Sequence, residues 1–211
     1  METKEIKFQK THLKEIGSTN TYLQESDKDR HLPEGTIVYC DIQRSGRGQR
    51  GNSWESEPYK NLTFSLLLRP EHIPANRQFL LSEIVSLATV DVLNRYATGF
   101  SIKWPNDIVI SKKKICGILT EMGTNGVKIN YVLIGVGINV NLKEFPEEMR
   151  DKATSLLLEG GHEYDRNQVI ALVMKYFEIN YEKFIQTCDF THLLDDYHRI
   201  LANLNQPVRV I

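Results

Sequence analysis

The 211-residue chain predicts an α+β fold: a mixed, largely antiparallel sheet with its helices on one side. Two observations carry that expectation. Strand-like runs come in hairpin pairs, and helical runs come in separate groups, which is not the alternation that builds a parallel βαβ sheet. The length suits one domain with a sizeable core and, at most, a small appendage.

Taken in order, Ile6 to Leu13 alternates weakly and reads as a first strand, broken by Gly17. Ser18, Thr19 and Asn20 open a helix to about Asp29, because each side chain can accept from exposed amides at a helix start. Thr36 to Ile42 is a strand, and Asn61 to Arg69 is another, stopped by Pro70. Pro74 begins a helix to about Tyr96, with Phe79, Leu80, Ile84, Leu87, Ala88 and Val92 on one broad face. Ser101 to Ile110 is strand-like but interrupted at Pro105, and Ser111 to Lys114 makes a hairpin turn. Ile115 to Met122 and Val127 to Val140 pair as two long strands about a turn at Gly123 to Gly126. Thr154 to Leu158 is a short apolar piece ended by Gly160 and Gly161. Asn167 to Phe184 is an amphipathic helix, apolar or aromatic at 169, 172, 173, 176, 177, 181 and 184. A last helix covers about Phe190 to Asn203, and Pro207 to Ile211 reads as the opening of a strand.

Composition narrows the function classes. The formal net charge is −1, with 41% hydrophobic and 25% charged residues, so there is no overall pull toward nucleic acid or an anionic membrane. Any basic site must be local. Cys40, Cys116 and Cys188 are widely spaced and odd in number, which makes neither a disulfide framework nor a metal pattern and points to a reducing compartment. The N-terminal residues lack the apolar core of a signal peptide, and no apolar run is long enough to span a bilayer. A cytoplasmic protein is the expectation. The six histidines are scattered without metal-ligand spacing, and no Gly-x-Ser-x-Gly elbow marks a serine hydrolase.

Four stretches can carry chemistry. From Gln43 to Trp54, Arg44, Arg47 and Arg50 are threaded between Gly46, Gly48 and Gly51. The glycines let the backbone bend closely around a ligand, and the arginines supply forked donors for a carboxylate or phosphate. The Gly-x-Gly-x-x-Gly spacing matches a dinucleotide fingerprint, but turn material follows Gly51 instead of the helix whose N-terminus would hold a pyrophosphate. A solvated surface turn is the plain alternative. Lys103-Trp104-Pro105-Asn106-Asp107 breaks a strand and turns Asn106 and Asp107 outward, where they can hold Mg²⁺ or order water, while Trp104 offers a purine a flat face. An Asn-Asp turn beside a core tryptophan explains the same residues. Lys114 begins a strand, so the sheet fixes its direction, and Gly117 weakens that strand unless something approaches its backbone. Glu121, in the same strand, reads as solvent-facing. Gly135 and Gly137 interrupt a strong β run, through close packing or a bulge. Asn139 sits among apolar neighbours and needs a hydrogen-bond partner if buried. Ser18, Thr19 and Asn20 can serve as a helix cap alone.

The order of these pieces is more specific than any one of them. Ser-Thr-Asn at 18–20, Gln43-x-x-Gly-Arg-Gly-x-x-Gly-x-x-Trp54, Lys-Trp-Pro-Asn-Asp at 103–107, Lys114-x-x-Gly-Ile-Leu-x-Glu121 and Gly135-x-Gly-Ile-Asn139 together resemble the biotin–protein ligases, over about Ser18 to Leu156. The resemblance implies a catalytic domain over residues 1–205 like that of class II aminoacyl-tRNA synthetases, a mixed sheet flanked by helices. It implies coupling of biotin to ATP as biotinyl-5′-AMP, with Mg²⁺, and transfer to one lysine of a biotin carboxyl carrier protein or a carrier domain of a biotin-dependent carboxylase. By position, Ser18, Thr19, Asn20 and Gln43 would bind the biotin head group. Gly46, Arg47 and Gly48 would follow its valeryl tail, and Gly117, Gly135 and Gly137 would floor the pocket. Lys114 would neutralise the carboxylate and the α-phosphate. Arg50, Trp54, Trp104 and Asn139 would lie on the ATP side, with Asn106 and Asp107 positioning Mg²⁺ and ATP and Asp107 as the metal ligand. Lys114 and Arg47 carry the catalytic role, because two anions must meet and placed cations cancel their repulsion.

Residues 206–211 would then begin a C-terminal SH3-like β domain that is missing or truncated. No DNA-binding helix-turn-helix precedes Ser18, so neither DNA nor membrane is an expected partner, and a monomer or homodimer is expected. The rival readings are a lipoate or octanoate ligase or transferase of the same fold, a non-catalytic biotin-binding module, and an arginine-loop nucleic-acid binder, the last disfavoured by the near-neutral charge. One departure from the family pattern stands out. Where many members continue Gly-Arg-Gly-Arg, this chain has Gln49, so either Arg50 substitutes or the acyl-adenylate is held less tightly. Timing release of the intermediate from the parent, Arg50→Ala and Gln49→Arg tests this. Slower release from Gln49→Arg, or faster release from Arg50→Ala, is expected, and identical retention in all three contradicts it.

Overall fold

A computed structural model describes residues 6–70, 73–126, 128–187 and 189–207. Cys188 and the strand expected from Pro207 onward, apart from Pro207 itself, lie outside the described residues, as does the side chain of Arg50.

Strand β1 (Gln9–Ile16) leads into helix α1 (Thr19–Arg30), then β2 (Thr36–Gln43). The arginine–glycine stretch folds as a small hairpin, β3 (Gly46–Arg47) and β4 (Ser53–Trp54), around a single 3₁₀ turn at Gln49–Gly51. After it come β5 (Asn61–Leu68), α2 (Phe79–Leu93), β6 (Ser101–Lys103), β7 (Asp107–Ile110), β8 (Lys113–Asn125) and β9 (Lys128–Asn139). Helices α3 (Leu156–Gly160), α4 (Arg166–Thr187) and α5 (Thr191–Arg199) complete the order. Seven strands form one sheet in the order β1-β2-β5-β9-β8-β7-β6.

The mixed, largely antiparallel sheet agrees with the sequence, and two details correct it. First, β1 and β2 run parallel, joined by α1 as a crossover, so one βαβ unit is present. Second, helices flank both faces. Side chains alternate along each strand. Ile37, Leu66 and Ile134 face the large core under α2 and α4, while their neighbours Val38, Leu67 and Leu133 meet Leu23 of α1 on the other face. Helix α2 is also buried on more of its circumference than one apolar stripe requires, and Phe79, expected on that stripe, is 47% exposed. The last helix stops at Arg199, not at Asn203, because residues 200–202 leave it to run beside β6.

Local chemistry accounts for the ends of these elements. Ser18 caps α1, its hydroxyl accepting from the Thr21 amide at 3.4 Å. Ser111 and Lys112, between β7 and β8, both have positive φ, as a tight two-residue hairpin turn demands. Gly161 ends α3 with φ +82°, a conformation that favours glycine.

The C-terminal end of α1 is latched to the sheet by Arg69. Its guanidinium pairs with Asp27 and donates to the Leu32 and Asn130 carbonyls, while its backbone N–H reaches Glu34 at 3.0 Å. This latch fixes the helix whose other end bears Ser18, Thr19 and Asn20. Asp27 is only 9% exposed. Removing its partner strands a carboxylate, so Arg69→Ala is expected to cost about 3 kcal/mol in urea unfolding. Arg44→Ala, which breaks an exposed pair with Glu15, is expected to change little. Equal small effects from both would refute the latch.

Candidate active site

On the α1 face, past the point where α1 covers the sheet, a cavity of about 640 Å³ opens. That is within the range of small-molecule sites, about 300–1,000 Å³. The α1 N-terminus, the β3–β4 hairpin, the β6–β7 turn, β8, β9 and the segment after α5 all reach it.

A polar relay crosses its inner end. Gln43 Oε1 accepts from the Thr19 N–H at 3.0 Å and from the Thr19 hydroxyl at 3.2 Å. The fully buried Ser65 hydroxyl lies 2.7 Å from Thr19 Oγ1 and 2.5 Å from Asn20 Oδ1, its one proton shared between them. Asn20 then donates to Glu121 at 2.8 Å, and Arg47 donates to the same Glu121 oxygen at 2.7 Å. Glu121 is therefore not a solvent-facing strand residue. It is the node that ties the hairpin to α1. The Gln43 Nε2 donors are left beside Gly46, where an added Cβ would lie 2.8 Å away.

The glycines are accounted for by the protein's own side chains. A Cβ on Gly137 would lie 2.4 Å from the Trp54 ring, and one on Gly117 would be 3.1 Å from it. Gly117 and Gly137 are register partners on β8 and β9, so the indole rests across both strands. Gly135 gives its space to Asn20, whose Oδ1 would be 2.6 Å from a Cβ there. Gly46 is buried, and a Cβ on it would meet the Trp54 carbonyl at 2.2 Å. Three of these glycines thus accommodate Trp54. Its Nε1–H is buried and has no partner among the described residues.

Lys114 arrives by a bulge. Ile108 pairs with Cys116 and Val109 with Lys114, which leaves Ile115 extra on β8. In a regular strand, residues three apart face opposite sides. The extra residue puts Lys114 on the same face as Gly117, its Cε and Nζ each 3.1 Å from where a Gly117 Cβ would stand, and turns both Ile115 and Cys116 into the core. The Lys114 ammonium lies 2.6 Å from Asp107 and 5.7 Å from the Trp54 ring centre. Its backbone is pinned to the loop before α3, donating to the Lys152 carbonyl at 2.7 Å and accepting from Thr154 at 2.9 Å.

Asn106 turns back to β8, donating to the Ile118 carbonyl at 2.9 Å, and holds Asp107 at the cavity wall. No group of three His, Cys, Asp or Glu side chains suited to a metal occurs among the described residues. A single carboxylate suits Mg²⁺ that arrives on phosphates and keeps its waters. Burial pushes the Cys40 and Cys116 thiols up, so neither is a ready nucleophile.

Of the residues singled out in the sequence, Ser18, Thr19, Asn20, Gln43, Arg47 and Gly48 line the cavity. Trp54, Trp104, Asn106, Asp107, Lys114, Gly117, Gly135 and Gly137 line it too. Gly46 lies behind the wall. Asn139, placed by the resemblance against the nucleotide, is instead buried, accepting from Asn61 at 2.8 Å and donating to the Thr154 carbonyl at 3.0 Å. It braces the floor's edge against the Lys114 loop. Ser65 and Asn203 escape the motif reading, and Glu121 belongs to a motif but reads there as solvent-facing. Ser65 had a signal, a polar residue at the centre of an apolar run, whereas Asn203 had none.

Fold and site together describe a domain with a cavity of small-molecule size, lined by Arg47, Lys103 and Lys114 among other residues. Residues 13–139 match the biotin/lipoate A/B protein ligase family, and the chain belongs to it. The bifunctional ligase/repressor BirA of Bacillus subtilis (strain 168) is 40% identical over 161 residues, covering 74% of this chain and 49% of the relative. A biotin–[acetyl-CoA-carboxylase] ligase of Paracoccus denitrificans is 30% identical over 172 residues, 79% of this chain and 70% of the relative. Among solved structures, a biotin protein ligase from Aquifex aeolicus in complex with biotin and ATP aligns with a TM-score of 0.80 and 33% identity, over 92% of this chain and 79% of that one. The chain spans about half the length of the Bacillus relatives it matches.

If the glycine floor exists for Trp54, Gly137→Ala must displace the indole. Overpacking of this kind is expected to cost about 1–3 kcal/mol. In the Trp54→Ala background the same substitution is expected to be nearly free, and additive costs in this double-mutant cycle would contradict the contact.

Proposed function

We propose that this chain activates biotin with ATP and passes it to a lysine of a carrier domain. The observation that carries the proposal is the convergence of Lys114 and Arg47 with the Gln43–Thr19 relay in one cavity of a biotin/lipoate ligase fold. The Gln43 Nε2 donors and the Ser18–Asn20 end of α1 suit a polar ring system. The hairpin residues Arg47 and Gly48 suit an extended acidic tail. Lys114 lies toward the end where Trp104 and Asp107 stand, so a carboxylate reaching it would face the nucleotide.

In the first step, a biotin carboxylate oxygen forms a bond to the α-phosphorus of ATP. The bond from that phosphorus to the bridging oxygen breaks, and pyrophosphate leaves. In the second, the neutral amine of the carrier lysine forms the amide bond, AMP leaves, and the amine proton is lost. Before any substrate arrives, each cation already has a carboxylate: Lys114 has Asp107 and Arg47 has Glu121. The substrates' oxygens would take over positions that are already set, so little reorganisation is needed at the reacting centre. Asp107 would hold a Mg²⁺ ion arriving with the triphosphate, and that ion would supply further neutralisation of phosphate charge. Trp54, seated between β8–β9 and the hairpin, excludes water from the acyl-adenylate. Asn139 and Asn106 act by position, bracing the floor and the Asp107 turn.

Biotin-dependent ATP–pyrophosphate exchange tests the reading. Exchange is expected with biotin and not with lipoate or octanoate. Exchange with lipoate instead would favour the lipoate branch of the family, and biotin binding without exchange would make the chain a binding module. Lys114→Ala is expected to lower exchange by about 10²–10³-fold. Arg44→Ala, outside the cavity wall, serves as the control and is expected to match the parent.

A further inference from the structure

The segment after α5 brings to the cavity a residue that no motif marks. Asn203 stands in the wall beside Lys103, Trp104 and Asp107. Its place is set by the sheet. The Ile102 N–H donates to the Ile200 carbonyl at 2.8 Å, and the Ala202 N–H donates to the Ile102 carbonyl at 2.8 Å, so residues 200–202 run parallel to β6 as an added edge. One residue further on, Asn203 Oδ1 accepts from the Trp104 N–H at 3.2 Å.

That bond settles which way the amide points. A backbone N–H can only donate, so the side-chain oxygen must face Trp104, and the two Nδ2 hydrogens remain. No acceptor for them occurs among the described residues. A half-buried side chain therefore presents a donor of fixed direction to the cavity. It does so at the end where Trp104 is 57% exposed. An adenine base has in-plane ring nitrogens that accept, and an aromatic face is the natural cover for its plane.

Resting on the reading of this cavity as an ATP site, we propose that Asn203 is a specificity residue for the nucleoside, its Nδ2–H donating to a ring nitrogen of adenine. The Trp104 N–H is part of the device, because it denies the amide the flipped orientation that would present an acceptor instead. The β6 edge is part of it as well, since it fixes the distance between Asn203 and the β6–β7 turn.

Calorimetric affinities for ATP and its 1-, 3- and 7-deaza analogues, on the parent, Asn203→Asp and Asn203→Ala, test the proposal. The aspartate keeps an oxygen for the Trp104 N–H and removes the donor, and the alanine controls for its added charge. One analogue is expected to bind the parent about tenfold more weakly than ATP. Both variants are expected to bind ATP about tenfold more weakly, and in them that analogue's penalty should vanish, with biotin affinity unchanged throughout as the sign of an intact fold. A penalty that persists in the variants, or no penalty for any analogue in the parent, would overturn the assignment while leaving the ATP reading standing. A parent that binds biotin but not ATP would overturn the ATP reading itself and the role of Asn203 with it.

Discussion

The indole of Trp54 lying across Gly117 and Gly137 is the contact on which the rest of the site depends. Gly117 and Gly137 are register partners that both lack a Cβ, which lets the ring approach both strands this closely. The same contact draws β4 down and so positions β3, whose Gly46 leaves room for the Trp54 carbonyl. Arg47 follows from that placement, since it is the register partner of Ser53, next to Trp54. The Lys114 ammonium lies beside Gly117, 5.7 Å from the ring centre. One side chain therefore sets the spacing between the two cations. It does so at a cost, because a buried indole N–H without an acceptor loses about 1–3 kcal/mol relative to a paired one. A site that tolerates this has a use for the donor or for the rigidity.

Charge is handled by the same logic. Arg47 and Lys114 do not wait as free cations, which would repel each other and drift on flexible stems. Glu121 and Asp107 hold them, and each carboxylate is itself steadied, Glu121 by Asn20 and Asp107 by its place in the β7–β8 register. Pairing before binding weakens the pull on an incoming anion but keeps its direction fixed. In a reaction between two anions, direction is the scarcer quantity.

Much of this was legible in the sequence because it is local. The cap at Ser18, the hairpin turn at Ser111, and the β8–β9 pair rest on residue types at short spacing, and most of the motif residues, though not Gly46 or Asn139, fall around one cavity. What stayed hidden is long-range. The parallel pairing of β1 with β2 needs α1 to cross between them, and weak alternation in β1 says nothing of its partner. Helix α1 has a faint apolar face because it covers only a small cluster around Leu23, so its side of the sheet was not readable. The bulge at Ile115 has no signature, for isoleucine is equally at home in a regular strand, yet it decides which way Lys114 points. Glu121 reads as surface until Asn20, 101 residues away, and Arg47, 74 residues away, are seen beside it. Glycines inside strands leave close approach and a bulge open, and at Gly117, Gly135 and Gly137 the approaching groups are Trp54 and Asn20.

The central claim is that this cavity forms and keeps a mixed anhydride of biotin and AMP. Native mass spectrometry of the chain after incubation with biotin, ATP and Mg²⁺ addresses it most directly. The account predicts a bound species with the mass of biotinyl-AMP, absent when Lys114 is replaced by alanine and absent when lipoate replaces biotin. Biotin and ATP bound side by side without the adduct, or an equal adduct from lipoate, would contradict it.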